Sequence, residues 1–249
     1  MERSEWKEVL SRAQSETLKG LLWRVVEDQS EIATMELVET LDEQMRLEEL
    51  LDATKPSYPE TAPDDYLLAT PFRYPPLNWG SRFGARHEMS IFYGSLLQET
   101  AAAELAYYRF VFLEGVEEAF PNPAIRASYD LFSARFKCEP GLDLTKEPFT
   151  AYADTLQHKA NYQPTQTLGR ELRAAEIQGI TYQSARCPKA GLNVAIFEPA
   201  GLVSRKPVQM LKCYCEATRS RVVLKLDRTQ FLEFPRDLFL MDGNLPEPA

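Results

Sequence analysis

The sequence predicts a mixed α+β fold, and three observations carry the prediction. Short runs rich in Val, Ile, Tyr, Phe and Leu recur between turn signals, as in GLLWRVV, MSIFYGS and LNVAIFEP. Two longer stretches have helical spacing or helical composition instead. The C-terminal strand-like runs follow one another across turns without a helix between them, which favours hairpins over a doubly wound parallel sheet.

Taken in order, GLLWRVV (20–26) reads as a short strand opened by Gly20. From Ile32 to Leu51, apolar residues fall at Met35, Val38, Leu41 and Met45, widened by Leu37, Leu47 and Leu51, so an amphipathic helix spans 32–51. Pro56, Pro59 and Pro63 end it in a loop. TPFRYPPLNWGSRFGARHE (70–88) is too rich in Pro, Gly and aromatics for a regular element and is expected to be a loop held by packing, a place where function often resides. MSIFYGS (89–95) is a buried strand, and LQETAAAELAYYRF (97–110) is a helix built on alanines. Thr165 is placed to cap a helix running through LGRELRAAE (168–176). After Gly179 come the strands ITYQSAR and LNVAIFEP across a CPKAG turn, then MLKCYCEAT and SRVVLKLD. Residues 1–60 are expected to form an N-terminal helical extension with a short strand, packed on a main domain at 61–249.

The 249 residues are 44% hydrophobic and 11% aromatic, enough for a substantial core. With 28 basic and 37 acidic side chains the formal charge is -9, which argues against binding nucleic-acid backbones or anionic membranes. The opening MERSEWKEVLSRAQSETLKG has no apolar signal core, and no stretch approaches the ~20 apolar residues of a membrane span, so a soluble, cytoplasmic protein is expected. Cys138, Cys187, Cys213 and Cys215 are too scattered for a disulfide scaffold. Cys213 and Cys215 share a strand face, but with no second cysteine pair and only His87 and His158 available, no metal site is expected. Neither GxGxxG nor GxxxxGK occurs, which disfavours a Rossmann site and a P-loop.

The segment GSRFGARHEMSIFYGSLLQETAAAELAYYR sets Arg82 in an irregular loop, Tyr93 near a strand end and Glu104 among alanines on a helix. A carboxylate there needs a partner. Either it forms a structural ion pair with Arg82 or Arg109, or it faces a ligand. Tyr93 is either anchored by its hydroxyl or presents its ring to a ligand. Ser184 shares a strand face with Tyr182 and Ile180. Tyr107 and Tyr108 follow Glu104 by three and four residues, so at least one lies near its helix face.

The SRFG loop, the strand bearing Tyr93, the helix bearing Glu104 and, far downstream, GITYQSARCPKAGLNVAIFEP together resemble the RES domain, named for its Arg, Glu and Ser. The likeness covers Tyr66 to Pro199, with a looser part at Trp23-Arg24. Arg82, Tyr93, Glu104 and Ser184 match the family's arginine, tyrosine, glutamate and serine. The family's earlier arginine corresponds to Arg24 or to Arg73, and the helix at 32–51 looks like an addition that short members lack.

The resemblance implies a fold similar to ADP-ribosyltransferases, with a mixed or antiparallel sheet flanked by helices. It implies attack on NAD+ at the nicotinamide-ribose bond, by phosphorolysis, by hydrolysis or by transfer of ADP-ribose to a protein, and a place as the toxin of a type II toxin-antitoxin pair. In this reading Arg82, Tyr93 and Glu104 are catalytic. Arg73 or Arg24, with Ser184 and Asn193, binds NAD+, and Asn193 and Arg186, which flank the hairpin after Ser184, complete the phosphate side of the cleft. A carboxylate suits an oxocarbenium-like ribose, arginines suit a pyrophosphate, and an aromatic face suits a cationic nicotinamide. The implied partners are NAD+, phosphate as a possible acceptor, and an antitoxin of helix-turn-helix type. A catalytically idle binding domain is the competing class, and a homo-oligomer through the 32–51 helix stays open.

Overall fold

A computed structural model describes residues 3–28, 37–76, 78–116, 124–226 and 229–247. The chain opens with helix α1 (Arg3–Arg12), strand β1 (Glu16–Glu27), helix α2 (Leu41–Thr54) and helix α3 (Tyr66–Arg73). Strand β2 (Phe92–Ser95), helix α4 (Gln98–Glu114) and the long strand β3 (Ile125–Asp143) follow. Helices α5 (Ala153–Leu156) and α6 (Gln163–Ala174) lead into β4 (Gly179–Gln183), β5 (Leu192–Ile196), β6 (Gln209–Ala217), β7 (Arg221–Lys225) and β8 (Phe231–Pro235). The expected α+β class is the class observed.

The described strands form one sheet in the order β1-β2-β5-β4-β3-β6-β7-β8, and β1 also pairs with β3. That extra pairing closes β1, β2, β5, β4 and β3 into a ring, with β6 to β8 continuing from the N-terminal half of β3, on the edge opposite β1. All pairings are antiparallel except β3 with β4. β1 runs beside β3 from Glu16 to Glu27, so the strand expected within an N-terminal extension is a member of the ring. By contrast β1 meets β2 only at Trp23↔Ser95, and the two strands part there. This split positions the site.

Three sets of buried side chains hold the layers together. Leu18, Leu22, Phe92, Phe132, Phe136 and Val194 pack with Leu68 and Phe72 of α3. Trp6, Phe83, Leu168, Leu172 and Phe197 join α1 and α6 to the opposite face of β4 and β5. Ala102, Ala106, Phe110, Cys213, Leu224 and Phe239 lie between α4 and the β6 to β8 extension. All four cysteines are buried free thiols, and burial pushes Cys138 and Cys213 up to about 12.

Several local expectations change. The helix expected at 32–51 is seen as Leu41–Thr54, started by a capping box in which Thr40 accepts from the Glu43 N–H and Glu43 accepts from the Thr40 N–H. Positions 32–36 of the expected stretch lie outside the described residues. The apolar side chains Leu41 and Met45 are 71% and 60% exposed, so they do not pack on the core; Arg73 supplies the tie, as described below. Thr70 to Arg73 were expected in a loop but complete α3, because Asp65 caps its first turn and Leu68 and Phe72 bury one face. Thr165 is not a cap. Pro164 suits the first turn of α6, and the buried Thr165 hydroxyl donates to the Tyr162 carbonyl. No helix among the described residues is long and apolar enough to cross a membrane.

Candidate active site

A cleft of about 530 Å³ opens where β1 and β2 diverge and runs beneath α4. Its floor is built by alternation. Tyr93 and Ser95 of β2, Asn193 of β5 and Tyr182 of β4 share one sheet face, since Ser95 pairs with Asn193 and Asn193 with Tyr182. Its roof is one stripe of α4, where Ala101, Glu104, Leu105 and Tyr108 repeat at helical spacing. Ala102, Ala103 and Ala106 are buried on the other sides of the helix, and their small side chains allow α4 to approach the sheet closely.

Glu104 is held by a side-chain network. Its Oε1 accepts from the Ser184 hydroxyl and from the Asn193 amide, both at 2.7 Å. Asn193 Oδ1 in turn accepts from Ser95 Oγ at 2.7 Å. Ser184 Oγ accepts from the backbone N–H groups of Arg186 (3.1 Å) and Cys187 (3.0 Å), so its proton is directed at Glu104. Oε1 is thus occupied by the scaffold, while the Glu104 side chain lines the cleft. The ion pair with Arg82 or Arg109 does not form.

Two cations line the same cleft as this carboxylate. Arg24 reaches across the split between β1 and β2, donates to the Tyr93 carbonyl at 2.8 Å and lies 5.0 Å over the Phe92 ring. Its Nε is buried without an acceptor, and burial pushes its pKa down to about 10, which leaves it charged at neutral pH. Arg82 donates to the carbonyls of Leu156 and His158 at 3.1 and 3.0 Å and sits 4.5 Å over Tyr162. Neither has a carboxylate partner among the described residues. Such arginines, committed only to carbonyls and rings, retain their charge for an anionic ligand.

Arg73 is not brought to the cleft. Its guanidinium is buried against Asp52, at 2.9 Å, and the Pro56 carbonyl, and it stacks 4.3 Å over Tyr58. It clamps the end of α2 to α3. Of the two arginines left open by spacing, Arg24 lines the cleft and Arg73 does not. Tyr93 lines the cleft, but its hydroxyl lies 2.9 Å from Ser81 Oγ and accepts from the Phe83 N–H at 3.1 Å. Burial pushes that hydroxyl up to about 12. Tyr93 therefore anchors the loop that carries Arg82.

The two tyrosines after Glu104 divide their roles. Tyr107 is fully buried and donates to the Pro246 carbonyl at 2.6 Å, whereas Tyr108 is 46% exposed in the cleft. Arg186 is buried behind the site, 3.5 Å over Tyr107, and donates to Tyr162 Oη at 3.2 Å. Ser95, Ser81 and Tyr162 escaped the sequence reading. Ser95 was within reach, because it alternates with Tyr93; nothing local marks Tyr162.

No curated protein matches the chain. A chain of the crystal structure of the M. tuberculosis MbcT-MbcA toxin-antitoxin complex is similar in fold, with a TM-score of 0.50 and 12% identity over 83% of this chain and 90% of that one. The RES domain matches residues 57–216, which include Arg82, Tyr93, Glu104, Ser184 and Asn193. This chain belongs to the RES-domain family.

Proposed function

We propose that the protein consumes NAD+ by cleaving the bond between nicotinamide and ribose, as the toxin of a toxin-antitoxin pair, with phosphate or water as acceptor. The observation that carries this reading is Glu104, a carboxylate oriented through one oxygen by Ser184 and Asn193 in a cleft also lined by two arginines without acidic partners among the described residues. As the C1′–N bond breaks, its electron pair leaves with nicotinamide, whose positive charge is neutralised, and the ribose becomes oxocarbenium-like. The Glu104 carboxylate stabilises that developing cation. A water or phosphate oxygen then bonds to C1′, and water gives up a proton in doing so. Arg24 and Arg82 suit the pyrophosphate, and Tyr108, one helical turn beyond Glu104, offers an aromatic face for nicotinamide. Ser184 and Asn193 act as positioning residues for Glu104.

The neighbouring structure's toxin-antitoxin complex supports an antitoxin partner for this chain too, with the helix-turn-helix type taken from the family resemblance. Incubation with NAD+, with and without phosphate, tests the chemistry. We expect loss of NAD+ and release of nicotinamide, and Glu104→Ala should lower kcat by at least ~100-fold, as expected for removing a group that stabilises transition-state charge. Loss only with phosphate identifies a phosphorylase, and loss without it a hydrolase. No turnover by folded wild-type protein in either buffer refutes the reading in favour of a transferase awaiting its protein target or a binding domain. In cells, expression alone should arrest growth and co-expression with the antitoxin should restore it.

A further inference from the structure

Among the three tryptophans, Trp6 is fully buried and Trp23, 9% exposed, lines the cleft from β1, whereas Trp79 is 48% exposed on the rim of the cleft. Its backbone is nonetheless fixed. The Gln166 side-chain amide donates to the carbonyls of Trp79 (3.0 Å) and Ser81 (3.1 Å), and the Ser81 N–H donates to the Gly84 carbonyl at 2.7 Å. Between them Gly80 adopts φ +80°, where a Cβ would come within 2.4 Å of the Gly84 oxygen. A large indole is therefore mounted on a rigid turn and left half in water. The fold uses the Trp79 carbonyl; the exposed ring adds little to the core.

Tyr74, also exposed, lies on the same rim with Pro71, Pro75 and Pro76. The buried Arg73 guanidinium sits 6.0 Å from the Tyr74 ring and fixes the end of α3 that bears it. Aromatic rings on pinned backbone lose little conformational freedom when a planar ring stacks on them. The charge nearby selects which ring. Arg82 lines the same cleft as Trp79, with no acidic partner among the described residues, so the cleft's cationic side disfavours a cationic pyridinium, which is drawn instead to the Glu104 carboxylate. A neutral base followed by an anionic linker fits the rim.

We infer that the shelf formed by Trp79 and Tyr74 is a base-binding subsite that takes the adenine ring of the substrate and makes the site selective for a dinucleotide over a mononucleotide. The inference rests on the NAD+ reading for its substrate, but its first test does not need turnover. Adenosine monophosphate, which lacks the scissile bond, should saturably quench tryptophan emission of the intact protein, because Trp79 is the most exposed tryptophan. Ribose 5-phosphate should not, and Trp79→Phe should remove most of the response, leaving at most the part that Trp23 contributes from within the cleft. An equal response to ribose 5-phosphate, a response in Trp79→Phe as large as in the wild type, or none at all overturns the subsite.

The second test uses turnover. Trp79→Ala should raise KM for NAD+ about tenfold, the scale of one lost base-aromatic stack, with Trp79→Phe restoring it to within about twofold. An unchanged KM in Trp79→Ala overturns the inference while leaving NAD+ cleavage intact. Adenosine monophosphate quenching in a protein that never consumes NAD+ would refute the reaction and retain the subsite.

Discussion

At the scale of single residues, the site depends on hydroxyls that orient other groups. Ser184 is 3% exposed and serves three partners at once: it donates to Glu104 and accepts from two backbone N–H groups. Ser184→Ala removes the donor and leaves both N–H groups without that acceptor. An unfolding free energy lower by roughly 1–3 kcal/mol is expected, together with kcat reduced about tenfold or more by a less well oriented carboxylate. Wild-type kcat in a folded Ser184→Ala protein would show that Glu104 does not need this hydroxyl. Tyr93→Phe deletes the anchor of the Arg82 loop and strands the Phe83 N–H, so we expect a loss of about 1–2 kcal/mol in urea unfolding and a higher KM for NAD+. Retained stability and KM would rule out the anchoring role. Several of these residues were visible in the sequence, because Arg82, Tyr93, Glu104 and Ser184 stand in a recognisable order. Their division of labour was not visible. Whether a tyrosine presents its ring or spends its hydroxyl on a loop depends on what sits opposite, here Ser81 and Phe83.

At the scale of elements, close approach decides more than propensity. Gly169 lies inside α6, where glycine costs about 1 kcal/mol relative to alanine, yet a Cβ there would come within 1.8 Å of the Phe83 carbonyl oxygen. That contact is with backbone and cannot be relieved by a rotamer change. Gly169→Ala should therefore destabilise the protein, by about 1–3 kcal/mol once the loop has shifted, despite the better helix former. Because the displaced loop carries Arg82, activity should fall as well; a more stable and fully active variant would show that the loop yields freely. The helix of α4 was legible from its alanines, and the strands around Tyr93 and Ser184 from their composition. Strand β3, which has 19 residues and partners β1, β4 and β6, was not read at all. Residues 129–134 are buried on both faces, so no alternation marks them, and Asp130, Ser133 and Pro140 dilute the apolar signal. Likewise α1 is short and charged, and Trp6 and Val9 are its buried residues.

At the scale of the whole molecule, burial of tyrosines couples stability to alkaline pH. Tyr93 and Tyr107 are both pushed up to about 12 by burial, against about 10 in the unfolded chain. The folded state thus favours their neutral forms. This contribution is complete below pH 10 and is lost as pH rises from 10 towards 12, because only the unfolded chain releases those protons in that window. We expect the urea midpoint to begin falling near pH 9, where the Cys138 and Cys213 thiols ionise in the unfolded chain but not in the folded one, and to fall further between pH 10 and 12, with a shallower fall above pH 10 in Tyr93→Phe. An identical slope in that variant would exclude Tyr93 as a contributor.

Local pattern was sufficient to determine the α+β class, the helix bearing Glu104, the strand bearing Tyr93 and the order of the family residues, because periodicity and short motifs are properties of neighbouring positions. Only the tertiary structure decided that Arg24 enters the cleft while Arg73 clamps α2 to α3, that Glu104 rests on Ser184 and Asn193 without an arginine partner, and that β1 closes a ring with β3. These outcomes depend on residues roughly 20 to over 100 positions apart in sequence. Their separation in space is set by strand register and by which side chains leave room for the backbone, and local spacing carries neither quantity.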